Sequence, residues 1–496
     1  MKRFFKLVGV LLVAVAGLVL VRTLMFTAPP TPSVARVDVE VDEAVVTAHM
    51  VEAIRFRTIS VAIDQTPDYA PFVDFVAWVR ETYPEVQESL ALDMVADHTM
   101  LYTWQGSNAA LKPILLTAHY DVVPVVPGSE GDWKHPPFEG EISGGYVWGR
   151  GAMDDKSAVV VMLEATTMLL KGGFAPARTI YFSYSHDEER GGPLGAAGVT
   201  ALLQERRVQL EWSLDEGSFI IKDMLPGTDK PVAMINVAEK GGLTLDLVAR
   251  GPGGHSSMPA AETSVDILAQ ALVNLRKHPV PGGLDGLSGA LFDTFARNGT
   301  FTFRMLFANK WLFGGLIEKQ LAASAAMDAM IRTTTAPTIL KAGIKTNVIP
   351  PTALASVNFR LHPRDTLQSI RDHVIAAIDD ERVTVTMQGA HQRMASDVSS
   401  WDSEGYKLIE SVARQIFGDI VVVPGLTVGG TDSKHYSKVA DNSYRFQYMN
   451  VGPEDLEGFH GTNERVSIDN LVKGTGAYYL LMKEAAGGSL TPSRTD

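Results

Sequence analysis

No cysteine occurs in this chain. Disulfides, thiolate-held metals and cysteine nucleophiles are therefore excluded together, and any metal must be held by His, Asp or Glu. Positive charge is also scarce: 44 Lys and Arg stand against 57 Asp and Glu, a net charge of −13. Phosphate backbones need a basic surface, so no nucleic-acid partner is expected. The surplus carboxylates are available to cations instead. Short-period repeats, low-complexity stretches and the His-Glu-x-x-His pattern of many zinc proteases are absent as well. The one segment like a nucleophile elbow, Gly254-His255-Ser256-Ser257-Met258, lacks its closing glycine, which argues against a serine hydrolase.

What is present suits a folded chain, with 46% hydrophobic and 20% charged residues. At 496 residues it exceeds one ordinary core, so two domains and a terminal segment are expected. Lys2, Arg3 and Lys6 precede an apolar run from Leu7 to Val21, closed by Arg22. This pattern reads as a signal sequence or signal anchor. Small-x-small cleavage signals are poor: Ala14-Val15-Ala16 lies within the run, and Ala28 precedes Pro29 and Pro30. An uncleaved anchor over 1–26 is preferred, with the catalytic part outside the cytoplasm, periplasmic or extracellular. A cleaved signal and secretion is the alternative. Residues 27–40 read as a tether.

Spacing is helical from Asp42 to Ser60, then strands at 113–118 and 179–185 alternate with helices at 158–170 and 194–203. Such alternation predicts an α/β domain with a largely parallel sheet. After Lys240 the pattern changes. Strands at 243–249, 353–361 and 383–388 and helices at 264–277 and 365–380 suggest an inserted α+β unit. The first pattern resumes with a helix at 405–417, a strand at 421–423 and a closing helix near 471–485. The expected boundaries are a catalytic domain over 41–240 and 392–496, interrupted by 241–391.

Chemistry in an open α/β sheet gathers where strands end. The first strand leads into His119-Tyr120-Asp121, in which His119 can ligate a metal while Asp121 holds its other ring nitrogen. Gly149-Arg-Gly-Ala-Met-Asp154-Asp155-Lys156 precedes an apolar helix, and there an Asp either caps the helix or bridges cations. His186-Asp187-Glu188-Glu189 is either a solvated acidic loop or a group whose repulsion a cation offsets. Asp215-Glu216-Gly217 ends a further strand, and His460 stands among glycines late in the chain. Taken jointly, His119, His460, Glu189, Asp215 and Asp154 supply one imidazole and one carboxylate to each of two ions, with Asp154 bridging. Three carboxylates and a hydroxide balance two divalent charges. Glu188 is left over as general base for the water bridging the ions.

These motifs resemble the co-catalytic dinuclear zinc family of aminoacylases, desuccinylases and carboxypeptidases. Trp133-x-His135-Pro-Pro137-Phe138, Thr346-Asn347-Val-Ile-Pro350 and Phe459-His460-Gly461-Thr-Asn463-Glu464 are most similar to its carboxypeptidase S branch, which also contains an N-fatty-acyl amino acid synthase/hydrolase. The resemblance implies a zinc-exopeptidase-like α/β domain with an inserted ferredoxin-like lid and dimerisation domain. It implies two Zn²⁺ per chain, with Co²⁺ or Mn²⁺ able to substitute, and a homodimer. The metal ligands would be His119, Asp154, Glu189, Asp215 and His460, with Glu188 as base. His255 and Asn347 match groups that stabilise an oxyanion, and Arg360 matches the residue that grips a substrate carboxylate. Gly429, Gly430 and Thr431 resemble a backbone clamp, although the branch often has an Asn in that loop. The implied reaction cleaves an amide next to a free carboxylate, in a peptide or an N-acyl amino acid. A binding protein on a scaffold that has lost its metals would lack a ligand or the base, and none is missing. The aromatic-rich stretch 282–345, which includes Phe307 and Trp311, either packs the lid or lines a groove for an acyl chain, and within it 314–331 reads as a helix.

Overall fold

The computed structural model describes residues 1–29, 34–223, 228–389, 392–487 and 489–490. Residues 30–33 of the expected tether and position 391 at the insertion's expected edge lie outside the described residues. The chain forms two compact units. One comprises Met1–Thr27, Ala238–Asp293 and Phe301–Val398, and the other Ala28–Val237, Thr294–Thr300 and Ser399–Asp496.

The larger unit is built on a mixed sheet. Its centre is four parallel strands in the order Ile180–Ser185, Ile114–His119, Leu210–Asp215 and Ala440–Arg445. All six residues of Ile114–His119 are buried, as expected for a strand covered on both faces. The run Pro113–Ala118 is apolar rather than alternating for this reason. An antiparallel pair, Ala91–Val95 and Thr99–Trp104, extends one side, and Val232–Glu239 joins the other side antiparallel. The helix Lys156–Lys171 is buried on nearly every side. It packs against the sheet and the helices Glu43–Arg55, Pro84–Ser89 and Ile468–Ala486. That enclosure explains why its sequence is apolar without a polar stripe. The central strands share one direction, so His119, Ser185 and Asp215 all close their strands at the same edge.

The smaller unit carries a four-stranded antiparallel sheet in the order Thr334–Ala342, Thr352–Leu361, Gly241–Arg250 and Val383–Met387. Burial alternates strictly along Gly241–Arg250, with Leu243, Leu245, Leu247 and Ala249 inward. They share a core with Ile267, Leu268, Ala271 and Leu275 of the helix Ser264–Lys277, and with Ile370, Val374 and Ile378 of the helix Leu367–Ile378. Both helices start from capping boxes, at Thr263 with Asp266 and at Thr366 with Ser369. Chain order and sheet order together give the ferredoxin-like βαββαβ arrangement.

Two features differ from the expectation. The stretch 314–331, read as one helix, forms parts of two, Lys310–Leu321 and Ala325–Ile331, because Ala322–Ser324 closes the first with turn hydrogen bonds. The strand Thr334–Ala342 has no clear signal in the sequence. It is an edge strand, largely exposed, so its residues show no inward alternation. Phe307, 4% exposed, stacks between Phe292 and Phe303 and so packs its own helical segment, whereas Trp311 is 54% exposed. Among the described residues only Arg3–Met25 forms a helix long and apolar enough to cross a membrane.

Candidate active site

The strand edge gathers imidazoles and carboxylates around Asp154. His119, 1% exposed, places Nε2 at 2.9 Å from Asp154 Oδ1. His460 Nε2 lies 2.8 Å from the other oxygen, Oδ2, and 3.5 Å from Glu189 Oε1. One carboxylate thus lies between two imidazoles, with a second carboxylate beside one of them. His460 has left-handed backbone, φ +56°, in a turn flanked by Gly458 and Gly461, a strained conformation of the kind that recurs at functional sites.

Asp121 organises the opposite side. His119 Nδ1 is 3.0 Å from the Asp121 carbonyl oxygen and 3.3 Å from Oδ1, which leaves Nε2 to face Asp154. The Asp121 carboxylate also accepts the backbone N–H groups of Glu188 and Glu189, each at 3.1 Å. The acidic loop therefore divides its labour. Asp187 turns away and accepts from Leu194 and Gly195 N–H at the start of the helix Ala196–Glu205, while the two glutamates remain at the edge.

The Asp154-Asp155 pair does not act as a helix cap. Asp155 stands at the N-cap of Lys156–Lys171 without a side-chain capping bond. It accepts from His119 N–H at 3.3 Å and from the Gln447 amide. Asp215 is buried at its strand end, with Oδ2 accepting Ser433 N–H at 2.7 Å and Oδ1 accepting Glu216 N–H at 2.9 Å. Among the described residues, two groups have ligand atoms within 4.8 Å of one another: His119, Asp154 and Glu189, and His119, Glu188 and Glu216. Asp215 is in neither. Glu216, whose Oε1 is 3.8 Å from His119 Nε2, is brought in where sequence reasoning chose its neighbour. Both were visible as a carboxylate pair, but which side chain turns toward His119 is not encoded locally.

The electrostatics call for cations. Burial raises the carboxyls of Glu188, Glu189, Asp215 and Glu216 above their ordinary range, strongly for Glu188 and Glu216, whose neighbouring carboxylates push the same way. Burial and then Asp215 push Asp432 up to about 8. Asp154 is the exception: burial raises it, but His119 and His460 outweigh that and lower it. Hydrogen bonding to Asp154, then to Glu189, carries His460 up to about 10. So many carboxylates buried together are costly, and divalent ions would offset them. Oxygen and imidazole donors without thiolate suit zinc, cobalt or manganese.

Glu464 was visible only as part of a motif. It is fully buried, and its carboxylate accepts Arg150 Nη1 at 2.7 Å and the N–H groups of Gly151, Met153 and Asp154 at 3.0, 2.8 and 3.1 Å. The pairing of Arg465 with Trp148 brings it to that loop, a contact across more than 300 residues that local patterning does not show.

The smaller unit carries three of the remaining sequence-predicted residues, His255, Asn347 and Arg360. His255 pairs with Val348 in a two-stranded ladder, and Ser256 N–H donates to the Asn347 carbonyl at 3.2 Å, so His255 and Asn347 are exposed neighbours. Arg360 is exposed on the strand Thr352–Leu361, opposite Gly242 and Thr334. In the larger unit Gly429 and Gly430 are exposed after the strand Val421–Thr427, and Thr431 is buried.

Residues 115–484 match the model of peptidase family M20/M25/M40. The chain is 39% identical over 438 residues to probable carboxypeptidase S-like 2 of Dictyostelium discoideum, covering 88% of this chain and 84% of that protein. It is 38% identical over 424 residues to the N-fatty-acyl-amino acid synthase/hydrolase PM20D1 of Mus musculus, covering 84% and 83%. The fold is similar to an M20 family metallo-carboxypeptidase from Sulfolobus solfataricus, with TM-score 0.62 and 18% identity, covering 88% and 98%. The chain belongs to peptidase family M20/M25/M40 and is a metal-dependent hydrolase of amide bonds.

Proposed function

We propose that this chain cleaves an amide next to a free carboxylate, as a carboxypeptidase or N-acyl-amino-acid amidohydrolase, at a site for two zinc ions. The observation that carries this reading is Asp154 between His119 and His460, at 2.9 and 2.8 Å, with Glu189 at hand. A carboxylate shared by two imidazoles is the arrangement a bridging ligand needs. His119, Asp154, Glu189, Asp215 and His460 are the proposed ligands, and Glu216 is a further candidate at the Asp215 strand end. Such ions, when bound, polarise the amide carbonyl and acidify a water.

The chain's own groups do the rest. Glu188 takes a proton from the attacking water as the carbon–oxygen bond forms, then gives it to the nitrogen as the carbon–nitrogen bond breaks. Asp121 holds the His119 ring and the backbone of Glu188 and Glu189 in place. His255 and Asn347 donate to the carbonyl oxygen as it gains charge. Arg360 clasps the substrate carboxylate in a bidentate fork, with Gly429, Gly430 and Thr431 contributing backbone contacts. Residues 241–391 serve as lid and dimerisation domain, and the working form is a homodimer. Residues 1–26 are a retained anchor that holds the catalytic part outside the cytoplasm.

A narrower reading, an N-fatty-acyl amino acid synthase/hydrolase, is favoured by the 38% identity to the mouse enzyme of that name. One panel tests both. Purified protein is assayed for metal content and for hydrolysis of N-acetyl, N-octanoyl and N-oleoyl forms of one amino acid, together with dipeptides. The broad reading expects two ions per chain, loss of activity on chelation and recovery with Zn²⁺, Co²⁺ or Mn²⁺. Full activity in metal-free protein overturns it. Rates that rise with acyl length support the narrower reading, and flat or falling rates eliminate it.

A further inference from the structure

The N-terminal helix does not stand free of the fold. Lys2–Met25 docks at its C-terminal end on the junction between the helices Phe301–Ala308 and Lys310–Leu321 of the same unit. Arg22 Nε donates to the Ala308 carbonyl at 2.9 Å. Asn309 Nδ2 lies 3.3 Å from the Val19 carbonyl and 3.4 Å from Thr23 Oγ1. Thr23 and Asn309 are both fully buried at this contact, within a helix otherwise exposed along its apolar length. Buried polar groups that bond each other define one geometry rather than a loose association.

The contact lies at a definite depth. A helix of 24 residues is about 36 Å long at ~1.5 Å per residue, against a hydrocarbon core of about 30 Å. Val19–Thr23 occupy its last two turns, so a spanning helix brings them to the membrane–water boundary. The N-terminal end of Lys310–Leu321, held through Ala308 and Asn309, then lies at that boundary too. Its exposed face suits it: Trp311 at 54%, Leu312 at 48% and Leu316 at 57% exposure share one side with Gly315 and Lys319. Tryptophan favours the headgroup region, and leucines beside a lysine form the face of an interfacial helix. The stretch from Phe301 to Leu321 carries Arg304, Lys310 and Lys319 against Glu318 alone. Lys310 is paired with Asp293 at 2.8 Å and Glu318 with Arg332 at 3.0 Å, so Lys319 is the charge that the exposed face presents.

We propose that the Trp311–Leu312–Leu316 face of Lys310–Leu321 is a second membrane contact, lying in the headgroup region of the leaflet where the N-terminal helix ends. This rests on the reading of Lys2–Met25 as a membrane anchor. The face binds lipid rather than a second copy of the chain because its helix starts where the end of Lys2–Met25 is docked, at the depth where the bilayer ends. It fixes the tilt of the smaller unit against the membrane, which a single helix followed by a tether does not.

The absence of cysteine makes the test direct. Single reporters are introduced into the full chain as Val13→Cys, Leu312→Cys, Leu316→Cys and, as a water reference, Glu381→Cys. Each is labelled with a polarity-sensitive dye and reconstituted in phosphatidylcholine–phosphatidylglycerol vesicles, with and without acyl-brominated lipid. All four positions are exposed, so labelling leaves the core intact. Loss of emission on bromination at Val13, Leu312 and Leu316, but not at Glu381, is expected. Loss at Val13 alone overturns the docking face and leaves the anchor standing. No loss at Val13 overturns the anchor and the docking face together. Disulfide dimers of unlabelled Leu316→Cys chains under mild oxidation, together with an unquenched dye at that position in the labelled sample, assign the face to a second copy and also overturn the proposal.

Discussion

Glu464 accepts the backbone N–H of Asp154 at 3.1 Å. The same carboxylate holds Gly151, Met153 and Arg150, so one buried side chain sets the conformation of the loop that presents Asp154 to both histidines. Replacing Glu464 with Gln removes the charge opposite Arg150 and turns an amide N–H₂ toward donors. Breaking a buried pair of this kind costs about 3–5 kcal/mol. Glu464→Gln is expected to lower the urea midpoint accordingly and to weaken metal binding by roughly 10–100-fold, the range for lost supporting contacts. Normal stability with normal metal content removes Glu464 from the site.

The roles proposed for the adjacent glutamates can be separated by experiment. Glu188→Gln is expected to reduce kcat by several orders of magnitude with near-normal metal content, because water loses its proton acceptor. Glu189→Gln is expected to lose metal. The opposite pattern in kinetics and metal analysis reverses the two assignments.

Asp215 and Glu216 compete for one assignment. Asp215 is tied to Ser433 and Glu216 N–H, whereas the Glu216 side chain reaches toward His119. If Asp215 is the ligand, Asp215→Asn reduces the metal content from two ions to one and Glu216→Gln leaves it unchanged. The reverse result moves the second ion to Glu216.

Arg360 is exposed on its strand, and no ion pair to it occurs among the described residues, so a substrate carboxylate would meet an available guanidinium. Arg360→Ala is expected to lower kcat/KM for free acids by at least about tenfold, since a charged hydrogen bond contributes about 1.5–3 kcal/mol. The matching amides should change little. Equal losses for acids and amides reduce Arg360 to a structural residue.

His362 gives the smaller unit an acid sensitivity of its own. Burial, with Arg364 and Lys240 nearby, depresses its imidazole to about 3. The contacts agree with a neutral ring: Arg364 N–H and Nε donate to Nδ1 at 3.3 and 3.1 Å, and Nε2 lies 3.0 Å from Ser288 Oγ. The unfolded chain binds a proton below about 6.5 that the folded chain refuses. Stability from this group is therefore complete above about 6.5 and is lost as pH falls toward 3, by at most about 1.4 kcal/mol per pH unit. Urea unfolding of the parent and His362→Gln proteins at neutral pH and near pH 4.5 should show a smaller acid loss in the variant. Parallel losses would exclude His362 as the source.

Much of this architecture was legible from local patterns. Alternation along Gly241–Arg250 and the continuous apolar runs of Ile114–His119 and Lys156–Lys171 follow from how many faces each element buries, and the residues themselves carry that record. The chemistry was legible for a related reason. Strands that end at a sheet edge put the next few residues at the site, so His119 and Glu189 stood out by type and place, while Asp154 and His460 stood out by the glycine-rich runs around them. Tertiary structure alone decided the rest. Ile180–Ser185 inserts between Thr99–Trp104 and Ile114–His119, an order that chain sequence does not imply. Whether Asp215 or Glu216 faces His119, why Glu464 holds a loop more than 300 residues away, and why Lys310–Leu321 keeps an apolar face outward are questions of the same kind. Periodicity records which faces an element buries, but not what lies across from them. Side-chain direction at a strand end and partners distant in sequence are settled only when the elements pack.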